Sequence, residues 1–409
     1  MNHPEHLTAE LISIGDEITS GAIVDTNSAW LSSELADLGI RTLYHSTVGD
    51  ELGPMVDVFR IAAGRSDLIL ITGGIGPTED DLTRQAAADL IGVPLQQDQE
   101  TLNFIQELFR KRNRSMPESN RIQACFPKGA KIIPNPHGTA PGFECELNFA
   151  ITGKSDPVRL LVFPGVPAEM KEMWNQTARE QVMNFIRTIR KEDHYVRNLR
   201  IHTFGLGESE VEARLPHLIS REHTPTVGIT AKEGIITLRI RAEGDDQEEV
   251  EAQIQETKKI IYDILGEYVF GEGEETLSSA VCKKLKAKGK KVGLLEWGTR
   301  GLMSSQIQED CFCGSFILAK ESPYFKSPQI FRTALEMFND DAGKPDYLLL
   351  IGPYPKTNTP DDERDVSIAV QDVRSHRVIE RSYRFGGHPA IIDNLYCLRA
   401  FRLLNQILE

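Results

Sequence analysis

Hydrophobic positions in the first third of the chain switch between two periods. AELISIG (residues 9–15) is a nearly continuous apolar run and reads as a buried strand. TNSAWLSSELADLGI follows, with Trp30, Leu31, Leu35 and Leu38 at helical spacing and Gly39 where a C-cap belongs. RTLYHSTVG predicts a second strand, MVDVFRIAAGRS a helix, DLILITGG a third strand, and EDDLTRQAAADLIG a helix closed by Gly92 and Pro94. QETLNFIQELFRKR adds a helix. The Pro- and Gly-rich IQACFPKGAKIIPNPHGTAPGFECEL predicts loops and short strands at a sheet edge, and VRLLVFPGVPAEMKEMWNQT returns to strand, turn, helix. Strand–helix alternation predicts an α/β domain over residues 8–180, a mostly parallel sheet with helices on both faces.

The pattern shifts near Lys191. VRNLRIHTFG, PTVGITAKEGIITLRIRAEG and the helix DQEEVEAQIQETKKIIYDILGEY predict a small α+β module over 190–268. Glu and Lys recur at i,i+4 on that helix, as expected of a solvated face. Gly271–Glu275 (GEGEE) reads as a linker. A third, α/β domain is expected over 272–409, where a helix–strand–turn order restarts with TLSSAVCKKLKAKGKKVGLLEWGTRG (276–301). A chain of 409 residues is too long for one core, so several domains are expected.

The apolar fraction of 40% is ordinary for a globular protein. The net charge of −14 is spread along the chain, which argues against nucleic acid as the main partner. A small anionic ligand stays open, because backbone amides or a metal can supply a local positive field. Cys125, Cys145, Cys282, Cys311, Cys313 and Cys397 form no C-x-x-C, so free thiols in a reducing cytoplasm are expected. MNHPEHLTAELISIG lacks the basic and apolar regions of a signal peptide, and no apolar run approaches the roughly 20 residues of a membrane helix.

The candidate chemistry gathers at ILITGGIGPTEDDLTRQAAADLIG, residues 69–92. Gly73, Gly74 and Gly76 can take positive φ and let a ligand approach the backbone. The helix start beyond them offers N–H groups to an anion. Neither the dinucleotide fingerprint nor the Walker-type loop is present. Thr78 and Asp81 read as a T-x-x-D capping box, but Glu79, Asp80 and Asp81 together exceed what a cap requires. A second acidic turn, SIGDEITSGAIVDTN, carries Asp16, Glu17, Asp25 and Asn27 and also follows a strand. Hard oxygen ligands from two loops suit Mg²⁺ or a similar ion, which would reconcile phosphate-binding glycines with a block of acids. This reading predicts a metal-assisted phosphoanhydride site. FPGVPAEM (163–170) adds a third strand–turn–helix, in which Gly165 permits close approach and Glu169 sits in a first helical turn.

GDEITSGAIVDTNSAWL, TGGIGPTEDDLTRQAAA and FPGVPAEM, in this order, resemble the N-terminal domain of the CinA (competence/damage-inducible protein A) family, itself similar to the three-layer MoaB/MogA molybdopterin-binding fold. The resemblance implies an ADP-ribose pyrophosphatase releasing AMP and ribose 5-phosphate with a divalent metal (Mg, Mn or Co). Gly73, Gly74, Gly76 and Thr78 would then bind the diphosphate, with Gly15, Asn27, Pro77 and Gly165 completing the substrate site. Asp16, Asp80 and Asp81 would hold metal or orient water. The relation to MoaB/MogA implies, as an alternative, binding of a pterin phosphate; a third is a scaffold that senses nucleotides without turnover.

The third domain departs from the family's E-S-C-T-G-G turn of a nicotinamide-mononucleotide deamidase. Here the turn is LEWGTRG: Glu296, Thr299 and Gly301 persist, while Trp297, Gly298 and Arg300 replace Ser, Cys and Gly. An indole cannot serve as a hydroxyl nucleophile, so deamidation is expected to be lost. Lys320, Tyr324 and Lys326 stand out of register with the family's Tyr-Ser-x-x-x-Lys, and LLIGPYP (349–355) is a reduced T-G-I-A-G-P. His137 and His388 are isolated; the first could line the crevice or serve its loop. A homodimer is expected as the commonest way to bury the third domain's apolar faces.

Overall fold

The computed structural model describes residues 7–154, 156–189, 195–219, 224–307, 310–318, 329–338, 343–352, 364–385 and 389–408. They form two compact units, 1–197 with 243–250 and 198–242 with 251–409. The first runs β1 (Thr8–Ile14), α1 (Asp16–Thr19), α2 (Thr26–Asp37), β2 (Arg41–Val48), α3 (Leu52–Arg65), β3 (Leu68–Thr72), α4 (Thr83–Ile91), β4 (Leu95–Gln97), α5 (Gln99–Lys111), β5 (Cys125–Pro127), β6 (Lys131–Ile133), β7 (Gly142–Leu147), α6 (Phe149–Thr152), β8 (Val158–Phe163), α7 (Pro167–Met173) and α8 (Arg179–Ile189).

Six strands make one sheet in the order β2-β1-β3-β8-β7-β6. β2, β1, β3 and β8 are parallel, and β7 and β6 close the edge antiparallel. The alternation of side chains builds three layers. Ile12, Ile69, Ile71, Leu160 and Val162 share a core with Met55 and Phe59 of α3 and Ala86 and Leu90 of α4. Their neighbours Leu11, Leu68, Leu70 and Leu161 face the other way, onto Leu31 and Leu35 of α2, Met170 and Met173 of α7, and Val182 and Phe185 of α8. β3 is buried throughout, which is why LILIT reads as a continuous apolar run.

The register carries the site. Ser13 lies opposite Thr72, Thr72 opposite Phe163, and Ile14 opposite Val48. The turns beginning at Gly15, Gly49, Gly73 and Pro164 therefore leave the sheet at one carboxyl edge, where ligands of open α/β sheets bind.

The expected helix at Glu79 begins instead at Thr83, with Leu82 as N-cap. Thr83 N–H donates to Gly74 O at 3.1 Å and Thr83 Oγ1 to Gly73 O at 3.0 Å, so the helix starts where it can brace the glycine turn. The Thr78–Asp81 pair is not a capping box; it folds the loop ahead of the helix.

The chain continues through β9 (Tyr195–Phe204), α9 (Glu208–Arg214), β10 (Thr226–Lys232), β11 (Ile235–Gly244), α10 (Gln247–Leu265), β12 (Val269–Glu272), α11 (Leu277–Ala287), β13 (Val292–Trp297), α12 (Leu302–Ser305), β14 (Phe312–Leu318), α13 (Gln329–Met337), β15 (Tyr347–Ile351), β16 (Arg364–Asp372), β17 (Val378–Phe385) and α14 (Pro389–Ile407). A four-stranded sheet, β10-β11-β9-β12, gives the small α+β module, and a five-stranded sheet, β14-β13-β15-β16-β17, the third domain. Phe204 of β9 shares one core with Leu277, Leu294 and Phe401, and Arg402 of α14 donates to Phe204 O. GEGEE is a braced corner rather than a free linker: Glu272 accepts from Lys258 at 2.9 Å and Tyr262 at 2.6 Å, and Glu275 accepts from Lys283 at 2.8 Å.

Among the described residues no helix is long and apolar enough to cross a membrane. The six cysteines are free thiols.

Candidate active site

A crevice of about 650 Å³ opens at the carboxyl edge of the first sheet. That volume suits a ligand of cofactor size. It is lined by the turns after β1, β2, β3 and β8, including Gly15, Asn27, Gly73, Gly74, Gly76 and Gly165 from the expected set.

The glycine turn is fixed from below. Gly73 (φ 100°) and Gly74 (φ 64°) lie in the left-handed region. A Cβ at Gly73 would come 2.4 Å from Ile14 O, and one at Gly74 2.2 Å from Thr83 Oγ1. The glycines are therefore required for packing against β1 and α4, independently of any ligand. Asp81 holds the next segment: Oδ1 accepts Gly76 N–H at 2.6 Å, and Oδ2 accepts Thr78 N–H at 2.9 Å and the Thr78 hydroxyl. Both oxygens of Asp81 are thereby committed to the loop. The N–H groups of Gly74 and Ile75 have no protein partner among the described residues. Successive amides of this kind form a cradle for an anion.

Beneath the cradle lies Arg84, 1% exposed. Its guanidinium donates to Ile75 O and, at 3.3 Å, to Gly76 O. Burial pushes its pKa down to about 10, and Asp81 opposes that shift, so it stays charged at neutral pH. The arginine turns two carbonyls inward and places a positive charge under the turn. Its sequence signal is a cation in the first turn of TRQAAADL, ahead of the buried Ala86, Ala87 and Ala88.

The acids divide into three groups. Asp25 is structural: it caps α2 through Ser28 N–H at 2.9 Å and accepts Ser13 Oγ at 2.5 Å. Burial pushes its carboxyl up, but the bonds from Ser13 and Ser28 outweigh this and hold it below the usual carboxylate range. Asp81 is the loop latch just described. Glu17, Asp50 and Asp80 line the crevice, where Asp25 and Asp81 also border it. Asp16 and Asp50 exchange backbone bonds, Asp16 N–H to Asp50 Oδ2 at 2.9 Å and Asp50 N–H to Asp16 Oδ1 at 3.2 Å. Asp50 is on the lining, and Asp16, an exposed residue, is not. Burial, then repulsion from Asp16, Glu17 and Asp80, raises the Asp50 carboxyl against one backbone bond that lowers it. Asp50 is absent from the sequence-based set, although Gly49-Asp50-Glu51 repeats Gly15-Asp16-Glu17 at the end of the next strand.

These donors fit one mode of metal binding. No three His, Cys, Asp or Glu side chains among the described residues converge as a ready cage, and Asp81 is already bonded to its loop. Mg²⁺ and similar ions commonly use one or two carboxylates plus substrate phosphate oxygens and water. The crevice carboxylates suit a cation that arrives with a diphosphate.

Glu169 and Asn27 brace the far wall. Glu169 Oε2 accepts Asn135 Nδ2 at 2.7 Å, and Asn135 Oδ1 in turn accepts Gly138 N–H at 2.8 Å, which fixes the HGTAPG loop. Asn27 Nδ2 donates to Gly165 O at 2.9 Å. His137 is off the crevice, 73% exposed and 3.3 Å from Glu172. Pro77 is not on the lining either; Thr78 is.

Residues 10–184 match the family model described as "Probable molybdopterin binding domain", and residues 199–271 match "Damage-inducible protein CinA KH domain". A competence-damage inducible protein of Oceanobacillus iheyensis is 30% identical over 98% of this chain and 98% of its own. The chain belongs to the CinA family. A CinA structure from Thermoplasma acidophilum is 32% identical over 44% of this chain and 98% of that one, with a TM-score of 0.38. A tungsten cofactor synthesizing MoaB from Pyrococcus furiosus is 14% identical over 46% of this chain and 98% of that one, with a TM-score of 0.31.

The third domain of this CinA-family chain holds the LEWGTRG turn as a closed scaffold. Glu296 is fully buried. Its Oε2 accepts Thr299 Oγ1 at 2.6 Å and Met303 N–H at 3.0 Å, and Oε1 accepts Ser304 N–H at 2.8 Å. The carboxylate caps α12 and ties both ends of the turn together. Arg300 (φ 54°) occupies the left-handed region between Gly298 (φ 106°) and Gly301 (φ 90°). The backbone thus keeps a glycine conformation where the glycine is gone. Trp297 packs against Gly352, where a Cβ would meet it at 2.6 Å. Lys320, Tyr324, Lys326 and His388 lie outside the described residues.

Proposed function

We propose that the N-terminal domain hydrolyses the phosphoanhydride of ADP-ribose or a related nucleoside diphosphate, releasing AMP and ribose 5-phosphate. The observation that carries this reading is that Gly74 and Ile75, whose amides have no protein partner among the described residues, line one crevice with Glu17, Asp50 and Asp80. The amides would hold the diphosphate, and Arg84, buried beneath the turn, would fix the turn and add positive charge. Asp50 and Asp80 would be the residues to hold a divalent cation, whose chemistry would be charge screening and Lewis acidity. Asp16 would position Asp50 through their reciprocal backbone bonds, and Asp81 would keep the loop in shape. Glu17, exposed on the crevice wall, is the candidate to orient the attacking water. AMP release should require Mg²⁺, Mn²⁺ or Co²⁺ and be lost in Asp80→Asn, an exposed residue whose change leaves folding intact. Undiminished release in that variant refutes the assignment.

A second reading, binding of a pterin phosphate without hydrolysis, is supported by the molybdopterin-type family model over residues 10–184. Tight pterin binding with no ADP-ribose turnover would favour it.

For the third domain we infer loss of nicotinamide-mononucleotide deamidation. Trp297 and Gly298 supply no hydroxyl or thiol, and the surviving Glu296 is committed to Thr299, Met303 and Ser304. Ammonia release from nicotinamide mononucleotide by the purified chain would overturn this.

A further inference from the structure

Away from the crevice, a second cavity of about 200 Å³ lies between the antiparallel edge of the first sheet and α8. Lys131 of β6 stands opposite Glu144 of β7, and Glu146 opposite Arg159 at the start of β8. Phe143, Cys145 and Leu160 pack on the side of α3 and α4, so alternation sends Glu144 and Arg159 to the face that α8 covers. Gln181 and Phe185 close the cavity from the helix side. The polar groups there are only half paired. Glu144, whose side chain is 5% exposed, accepts Arg159 Nη1–H at Oε1 at 2.8 Å, with Lys131 Nζ 4.0 Å away. Arg159 Nη2 meets Glu146 at 2.9 Å. Glu144 Oε2, Arg159 Nε and Gln181 Oε1 are buried and have no protein partner among the described residues. A purely structural ion pair is expected to satisfy its buried atoms, because an unmade bond is costly. Here three orphans belong to side chains that line one cavity.

The geometry points to a second binding site, for a small amino acid in its zwitterionic form. The orphaned atoms are two acceptors, one of them on a carboxylate, and one guanidinium donor. Lys131 and Arg159 stand against Glu144 and Glu146, so the site is neutral as a whole and favours neither a lone cation nor a lone anion. A zwitterion meets both demands. Its ammonium would donate to Glu144 Oε2 and Gln181 Oε1, and its carboxylate would accept from Arg159 Nε. Lys131, 65% exposed, would add charge at the open side. The volume falls below the roughly 300 Å³ of ordinary ligand pockets, which restricts the ligand to a small one. The Arg159 guanidinium lies over the Phe185 ring at 5.5 Å and takes up aromatic surface that a bulky apolar side chain would need. The ligand class is therefore amino acids of the size of glycine, alanine or serine. Nothing in this site depends on the diphosphate reading of the crevice.

The test titrates the full chain calorimetrically with glycine, L-alanine and L-serine, and with acetate and ethylamine as half-ligands. At least one of the three amino acids should bind saturably and at least ~10-fold tighter than either half-ligand, because each half forgoes one set of charged hydrogen bonds. Glu144→Gln keeps an acceptor for Arg159 and discards the charge that the ammonium needs, so affinity should fall at least ~10-fold. Gln181→Met removes one orphaned acceptor and keeps a helix-forming side chain of similar length. Its affinity should fall at least ~5-fold while its unfolding midpoint holds or rises, which keeps the test valid if Glu144→Gln folds poorly. Absence of binding by all three amino acids overturns the proposal. So does acetate or ethylamine binding as tightly as an amino acid, which would mark a simple ion site. Wild-type affinity in Gln181→Met overturns it as well. A lowered midpoint in that variant, with no amino acid bound by the wild type, would mark the cavity as a pocket of structural water and likewise overturn it.

Discussion

Asp81 accepts the backbone N–H of Gly76 at 2.6 Å, and that bond separates two acids that stand side by side in the sequence. Asp80 and Asp81 both border the crevice, but Asp81 spends its two oxygens on Gly76 and Thr78 of its own loop. The two should respond differently to the same change. Asp81→Asn puts an amide where the loop needs an acceptor for Gly76 and Thr78, costing about 1–3 kcal/mol of stability and about 10- to 100-fold in activity together. Asp80→Asn should leave the thermal midpoint in place and remove turnover. Parallel melting and AMP-release measurements on the two variants check this.

Arg84 should be intolerant of lysine. A lysine carries the charge but cannot fork to the carbonyls of Ile75 and Gly76. Arg84→Lys is expected to raise KM for the diphosphate about 10-fold with a smaller change in kcat, as a weakened binding cradle requires. Arg84→Met strands both carbonyls and should cost about 1–3 kcal/mol in denaturant unfolding.

Asp50 should trade stability for activity. Its folded pKa lies above the ordinary 3.8, so the folded state holds that proton more tightly than the unfolded chain. The stabilisation is present below pH 3.8 and is lost as pH rises through the raised value. At neutral pH the ionised carboxylate is a burden, and Asp50→Asn should raise stability slightly, by less than about 1 kcal/mol given its partial exposure. The gain should shrink below pH 4 in unfolding curves, and metal-dependent turnover should fall at every pH.

Arg300 keeps a left-handed conformation that a side chain disfavours by about 1–2 kcal/mol. Arg300→Gly should stabilise the third domain by about 1 kcal/mol, because relief of strain exceeds the added backbone entropy. It should not bring ammonia release from nicotinamide mononucleotide, since Trp297 and Gly298 remain. Thermal unfolding with an ammonia assay checks both statements.

The layers and the crevice were legible because they depend on period and order. LILIT is apolar throughout because it lies in the middle of the sheet, and the three glycine-bearing turns follow strands whose register brings them to one edge. The division of labour among the acids was not legible. A carboxylate that latches a loop and one that borders a ligand site have the same letter, and only the hydrogen bonds made by Asp81 and by the Asp16–Asp50 pair distinguish them. Reading α4 from Glu79 failed for a related reason: tertiary bonds from Thr83 to Gly73 and Gly74 moved its start. Arg84 and Asp50 did leave marks, a cation ahead of three buried alanines and a repeated Gly-Asp-Glu. The joining of Phe204 to the third domain's core left none, because it connects residues far apart in the chain.

The central claim is that the crevice breaks a phosphoanhydride. Phosphorus NMR of ADP-ribose incubated with the full chain and Mg²⁺, Mn²⁺ or Co²⁺ tests it most directly. The account predicts that the diphosphate resonances give way to two monophosphate resonances, those of AMP and ribose 5-phosphate, with wild type and not with Asp80→Asn. A diphosphate that persists with every metal, or that is consumed equally by the variant, contradicts it.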